Sequence, residues 1–257
     1  MRRGDVVVLS ISSALAAIVV AAVTFSVLVL NRKLSTDVFE SEDNNSSWLA
    51  VTWAPSLCRV EPSTMGCASG HVDEFGETLI LHGLWPQPIS NEYCGVPKAV
   101  ADRADNTHRS DMPSVELRED VRNKLRSLMS DVTSLASHEW YKHGTCSGVT
   151  PDVYFDDAAA LTQEVRKVLD PVLEEAEGKR ITLAAVRSRF DREFGPGAGE
   201  RVAITCRNAI GEGNLLFEVD LSLPTVLDIV AGRTVSLGQL LAKAPPMPGW
   251  CQSARVP

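Results

Sequence analysis

At 257 residues the chain has room for one large domain or two modest ones, with ample length for a core. A hydrophobic share of 44% and a charged share of 23% exclude an intrinsically disordered protein. The net charge of −8 excludes a basic coat for nucleic acid or anionic membranes, so any polyanionic substrate needs a local cationic pocket.

The first element is Val6 to Leu30, 25 residues without a charge, preceded by Arg2 and Arg3 and followed by Arg32 and Lys33. As a helix it would run about 37 Å, enough to cross a ~30 Å hydrocarbon core with some tilt. A cleavable signal calls for a shorter apolar region of roughly 7–15 residues and a small-x-small site, and the exit SVLVLNRKL offers no convincing one. Residues 6–30 are therefore expected to form an uncleaved transmembrane signal anchor, with residues 1–5 as a short cytoplasmic tail; secretion after signal cleavage is the alternative. Six cysteines (Cys58, Cys67, Cys94, Cys146, Cys206 and Cys251) all follow this segment and show no CxxC spacing. An even count behind a membrane-targeting segment argues for disulfides in an oxidising, extracytoplasmic compartment. Residues 31–47, ending in the polar, acidic run STDVFESEDNNSS, read as a flexible tether.

Beyond it, Trp48 to Cys58 predicts a strand over its first half, and Glu77 to Pro86 a second strand. Gly95 to Met112 is polar and irregular, a loop by composition. Helices are expected over Pro113 to Met129 and over Pro151 to Asp170, the latter with Val153, Leu161, Val165 and Leu169 as its buried stripe. A further helix starts at the cap Thr182 and stops at Gly195. RVAITC and NLLFEVDLSL, the second preceded by the turn residues Gly211 to Asn214, complete the strands. Strands and helices mix without a βαβ rhythm, which favours a single α+β domain over residues 48–257.

HEWYKHGTC, His138 to Cys146, is the densest cluster of titratable groups. On a helix, with His138 at 0°, Lys142 falls near about 40°, Glu139 about 100° and His143 about 140°, while Trp140 and Tyr141 lie near about 200° and 300°. One arc thus carries every titratable side chain, and the aromatic side is expected to anchor the turn in the core. A zincin needs HExxH; here the spacing is HExxxH, the histidines diverge, and Lys142 would repel a divalent ion, so no metal or other cofactor is expected. A solvated charged turn and proton-transfer chemistry both remain. LHGLWPQ, Leu81 to Gln87, supplies the second group that proton transfer needs: His82 at the end of an apolar strand, beside Gly83 and Trp85. Two histidines at one phosphodiester, with a lysine and a third histidine to hold the phosphate, are what metal-free RNA cleavage requires. One neutral imidazole takes the 2′-OH proton and one imidazolium protonates the departing 5′-oxygen. The residues alone leave open which histidine is which.

Both segments together resemble the ribonuclease T2 family of acid, secreted, largely base-non-specific ribonucleases. Its two active-site motifs, HGLWP and HEWxKHGTC, are matched by His82–Pro86 and His138–Cys146 in the right order and at a separation of about fifty residues. Weaker likeness covers the tryptophan-rich start, DVYF after the second motif and the final cysteines, and excludes the first 47 residues.

The resemblance implies a disulfide-bonded α+β domain with a mainly antiparallel sheet and flanking helices, acting on single-stranded RNA as a monomer. It implies His143 as general base, His82 as general acid, Glu139 and Lys142 as stabilisers of the phosphorane that also tune His143, His138 as phosphate ligand, and Trp85 as support for site and substrate. It also pairs Cys58 with Cys67, Cys94 with Cys146 and Cys206 with Cys251. The second of these closes a loop worth ~4 kcal/mol in the chain-entropy model. Gln87 stands where many relatives carry an acidic residue that helps read a base; an amide can donate and accept, so preference rather than binding is at stake. Tyr93 and Tyr141 are the candidates for stacking on a base, while His71 and His108 match nothing and read as surface residues. A catalytically silent use of the same fold and a metal-dependent phosphodiesterase are the competing classes, disfavoured by the intact histidine set and by Lys142 respectively.

Overall fold

Strand β1, Ser46–Trp53, runs through the middle of the sheet as SSWLAVTW and is almost wholly buried. The structure, a computed structural model, describes residues 46–105, 112–232 and 236–257. The expected anchor over residues 6–30, the tail before it, most of the tether and His108 lie outside the described residues. Among the described residues no helix is long and apolar enough to cross a membrane. The tether, expected to reach residue 47, gives way earlier: Ser46 and Ser47 already belong to β1. Ser47 can be buried there because its hydroxyl donates to the Pro224 carbonyl at 2.7 Å.

At Pro55 the chain turns from β1 into helix α1 (Ala54–Val60), and Cys58 is bridged to Cys67 in the short α2 (Met65–Ala68). Strand β2 (Leu79–Pro86) returns antiparallel to β1. A helix, α3 (Lys98–Asp105), occupies part of the stretch expected to be loop. Its i,i+4 Lys98–Asp102 pair at 2.6 Å supports the turn, but Ala104 alone among its core-type residues is nearly inaccessible, so it leaves little hydrophobic period. Helix α4 is only Glu119–Arg126, shorter than expected. The preceding residues spend their donors elsewhere: the Val115 amide bonds Ser137 Oγ and the Arg118 amide bonds Asp152 Oδ1. Helix α5 (Ser134–Lys142) is followed by a 3₁₀ turn, Gly144–Cys146.

Helix α6 (Pro151–Glu175) is the longest element and runs through Pro171 rather than stopping at Asp170. Pro171 removes one intrahelical donor, but Leu173 beyond it is fully buried and keeps the last turn docked. Its buried face includes Tyr154, Phe155, Leu161, Val165 and Leu169; Val153, expected on that stripe, is only half-buried. Strand β3 (Arg180–Thr182) leads into α7 (Leu183–Phe194), where Thr182 caps the Ala185 amide and Gly195 ends the helix, as expected. Strands β4 (Val202–Ala209) and β5 (Gly213–Pro224) form a hairpin, followed by α8 (Val226–Ala231), α9 (Leu237–Lys243) and β6 (Ser253–Arg255).

The sheet order is β2-β1-β5-β6-β3, with β4 also on β5. All ladders are antiparallel except the Leu215–Arg255 pairing of β5 with β6. Leu49, Val51, Trp53, Val219, Leu221 and Leu223 face the main core with α6. The alternate residues, Thr52, Glu218, Asp220 and Ser222, are polar and also buried, an unusual composition for a sheet face. The bridges Cys94–Cys146 and Cys206–Cys251 complete the implied pairing.

Candidate active site

His82 is aimed by an irregularity in β2. Ala50 pairs with Gly83 and Val51 with Leu81, so His82 is the extra residue of a bulge between β1 and β2. Such a bulge bends the strand and re-aims one side chain. Tyr154 of α6 fixes the strand two residues on: its hydroxyl donates to the Leu84 carbonyl at 2.5 Å and accepts from the Leu84 amide at 3.2 Å.

Helix α5 brings up the second segment. Its N-terminus is held by Asp131, which accepts from the Thr133 amide at 2.8 Å and the Ser134 amide at 3.2 Å. The titratable arc turns inward, with His138, Glu139 and His143 buried and Lys142 half-buried; of the aromatic side expected to anchor the turn, Trp140 does pack against the main core, while Tyr141 is half-buried. A polar arc can face the interior because it meets polar partners there. Glu139, 1% exposed, accepts the indole N–H of Trp85 at 2.8 Å through Oε2, and its Oε1 lies 3.5 Å from His82 Nε2. The two motif glycines follow from this packing. A Cβ on Gly83 would stand 2.1 Å from Glu139 Oε2, and one on Gly144 would stand 2.4 Å from the Trp140 ring.

The Trp85 indole lies against both histidines, its centroid 5.2 Å from the His82 ring and 5.5 Å from the His143 ring. His143, the C-cap of α5, has its Nδ1 buried without a hydrogen-bond partner among the described residues. Lys142 is half-buried, 3.4 Å from Glu92 and 5.9 Å above the Tyr93 ring, and its carbonyl accepts the Tyr93 amide. Tyr93 takes a positive φ of 55° to make that contact. The Cys94–Cys146 bridge ties the same loop to the end of α5.

The two histidines are driven in opposite directions. Burial pushes His143 down to about 3, and the charges of His138, Lys142 and His82 push the same way. Burial works against a charged His82 too, but the charge and hydrogen bond of Glu218, then the charges of Glu139 and Glu61, outweigh it and raise it to about 9. Glu139, expected to tune His143, lies beside His82.

Glu218 of β5, absent from the sequence-based set, is the largest addition. Its Oε1 is 2.5 Å from His82 Nδ1 and 3.1 Å from the Thr52 hydroxyl. The signal was in FEVDLSL, where Glu218, Asp220 and Ser222 put a polar residue at every second position of a strand otherwise made for a core. Gln87 does not face outward: its Nε2 donates to the Trp85 carbonyl at 3.2 Å, bracing the turn after the motif. His71 lies at the surface, partly exposed, its ring nitrogens 3.2 Å from Glu74 and from the Arg126 carbonyl. A cavity of about 620 Å³ opens beside His82, lined among others by Thr52, Leu57, Ile80, Leu135, Phe217 and Glu218.

The ribonuclease T2 family model matches residues 45–232 and so takes in both segments. The chain belongs to the ribonuclease T2 family. It is similar to ribonuclease I of Escherichia coli (strain K12), 25% identical over 192 residues, a stretch covering 65% of this chain and 65% of that one, just under two thirds of the relative's length. It is also similar to ribonuclease MC of Momordica charantia, 29% identical over 161 residues, covering 61% of this chain and 78% of the relative. The solved ribonuclease MC1 from bitter gourd seeds superposes with a TM-score of 0.48 at 20% identity, over 70% of this chain and 90% of that one.

Proposed function

We propose that this ribonuclease T2 family member is a metal-independent endoribonuclease that cleaves single-stranded RNA through a 2′,3′-cyclic phosphate. The observation that carries the reading is two histidines against one indole in opposite surroundings: His82 between two carboxylates, which raise it to about 9, and His143 buried beside basic groups, which push it down to about 3. Between those limits one side chain can accept a proton while the other can give one.

Neutral His143 takes the 2′-OH proton, and since its Nδ1 is buried, Nε2 is the accepting nitrogen. The 2′-oxygen attacks phosphorus, and the Nε2 proton of His82 passes to the departing 5′-oxygen. Water then opens the cyclic phosphate with the roles reversed. Lys142 and the imidazolium of His82 supply positive charge to the phosphorane within a chain of net charge −8, and His138 holds the phosphate. Glu139 has a different part from the one expected: it braces Trp85 and keeps His82 charged. The cavity beside His82, part apolar and part polar, suits a base adjoining the cleaved bond.

The attacking group belongs to the substrate, so the test is chemical. RNA should be cleaved in excess EDTA, while DNA and 2′-O-methyl RNA should remain intact. Cleavage of either resistant substrate, or loss of RNA cleavage on chelation, would refute the reading. For residues 6–30 we propose a membrane anchor that holds the domain outside the cytoplasm, supported by the uncharged run and three disulfides. The chain should then stay in the membrane fraction after a high-salt wash; a soluble form beginning near Asn31 would refute the anchor.

A further inference from the structure

We propose that Glu218 is a positioning residue for the acid half of this site, holding His82 by Nδ1 so that Nε2 is the nitrogen turned to the bond being broken. The inference rests on the ribonuclease reading above. Glu218 Oε1 stands 2.5 Å from Nδ1, and the carboxylate's side chain is only 8% exposed. The Thr52 hydroxyl donates to the same oxygen at 3.1 Å, and in the β1–β5 register Thr52 and Glu218 are direct partners, so the carboxylate is set by the ladder itself. Strand β5 is further held by β4 on its other edge. His82, by contrast, sits on a bulge, where a side chain without a fixed partner would be poorly aimed. The partner of one imidazole nitrogen decides which tautomer the neutral ring adopts and where the other nitrogen points.

Around this pair stand Glu139 of α5, 3.5 Å from Nε2, Glu61 just past α1, Asp220 on β5, Arg207 on β4, and His143 at the end of α5. Glu218 and Glu139 therefore hold the ring from its two nitrogens, and the Nε2 side is the one on which Glu139 also meets the Trp85 indole. In the cleavage step the bond from phosphorus to the 5′-oxygen breaks with its electron pair on that oxygen, which takes the Nε2 proton. The ring is left neutral with its remaining proton on Nδ1, still donated to Glu218, and is ready to receive a proton again at Nε2.

The test uses the full chain in detergent, with histidines labelled in nitrogen-15. In the unsubstituted protein the His82 ring should keep its proton on Nδ1 above its titration midpoint; a neutral ring protonated on Nε2 would overturn the proposal without any variant. Glu218→Gln should lower both the His82 midpoint and the alkaline limb of the cleavage rate by about one pH unit or more, because an opposing charge in contact is lost. The acid limb should stay in place. Above the shifted limb the rate should fall roughly tenfold for each pH unit of displacement. Glu218→Asp, which keeps the charge, should recover most of the shift. A uniform loss of rate at every pH with the midpoint unmoved would mark a structural role only and refute positioning. A shifted midpoint in a protein that leaves RNA intact would remove the ribonuclease reading, and positioning with it, while leaving the Glu218–His82 pair standing.

Discussion

Replacing Glu139 with Gln tests whether the acidic helix residue serves the acid or the base. Its carboxylate lies 3.5 Å from His82 Nε2. At that separation Coulomb's law gives about 5 kcal/mol at an effective dielectric of about 20. His82 is 33% exposed, so solvent screens much of this, and Glu218 remains in contact at 2.5 Å. The expected shift is therefore about one pK unit, the low end of the ~1–3 units an opposite charge produces. The sign follows from the charge: a carboxylate raises its imidazolium partner, so its removal lowers His82 from about 9 and brings the alkaline limb down. The acid limb, set by His143 near about 3, should stay where it is. Initial rates on a dinucleotide substrate across the pH range give both limbs of the unsubstituted enzyme as well, whose optimum should be a broad plateau rather than a narrow peak. An acid limb that moves while the alkaline limb stays would refute the placement of Glu139 at His82.

His82→Ala and His143→Ala should each cut RNA cleavage ~10²–10⁴-fold while the domain stays folded; retention of most activity by either would remove it from the acid–base pair. Tyr154→Phe should lower stability by ~1–3 kcal/mol, because the buried Leu84 carbonyl and amide both lose the hydroxyl that meets them. A urea midpoint equal to that of the unsubstituted chain would show that the bulged strand needs no such pin.

Much of the site could be read from sequence because both motifs are local. HGLWP and HEWYKHGTC each place their groups through one strand or one turn of helix, and Glu139, Lys142 and His143 keep their order wherever the helix packs. Which way the helix faces is not local. The arc carrying Glu139 turns inward because Trp85, on a separate strand, offers it an N–H. Helix α3 was hidden for a related reason: with so little buried surface, its polar residues resemble those of a loop. The start of the predicted helix at Pro113 failed because Ser137 and Asp152, neither within it, take backbone donors that a helix would use. Glu218 lies 136 positions from His82 along the chain, and only the successive β2–β1 and β1–β5 ladders bring them together.

The motifs alone leave acid and base interchangeable, since each offers a histidine; the packing makes them unequal. His82 projects from the sheet at the point where β5 carries Glu218 and α5 carries Glu139, so two carboxylates from different elements meet its two nitrogens. His143 ends α5 with its Nδ1 buried, and among the described residues the basic groups His138, Lys142 and His82 bear on it. Exchanging the roles would require His82 to lose its proton between two carboxylates and His143 to gain one in a buried, positively charged corner. Both changes oppose the local field. The proposal of His82 as acid and His143 as base therefore rests on where the sheet puts its negative charge, and Trp85, in contact with both rings, sits where the two environments meet.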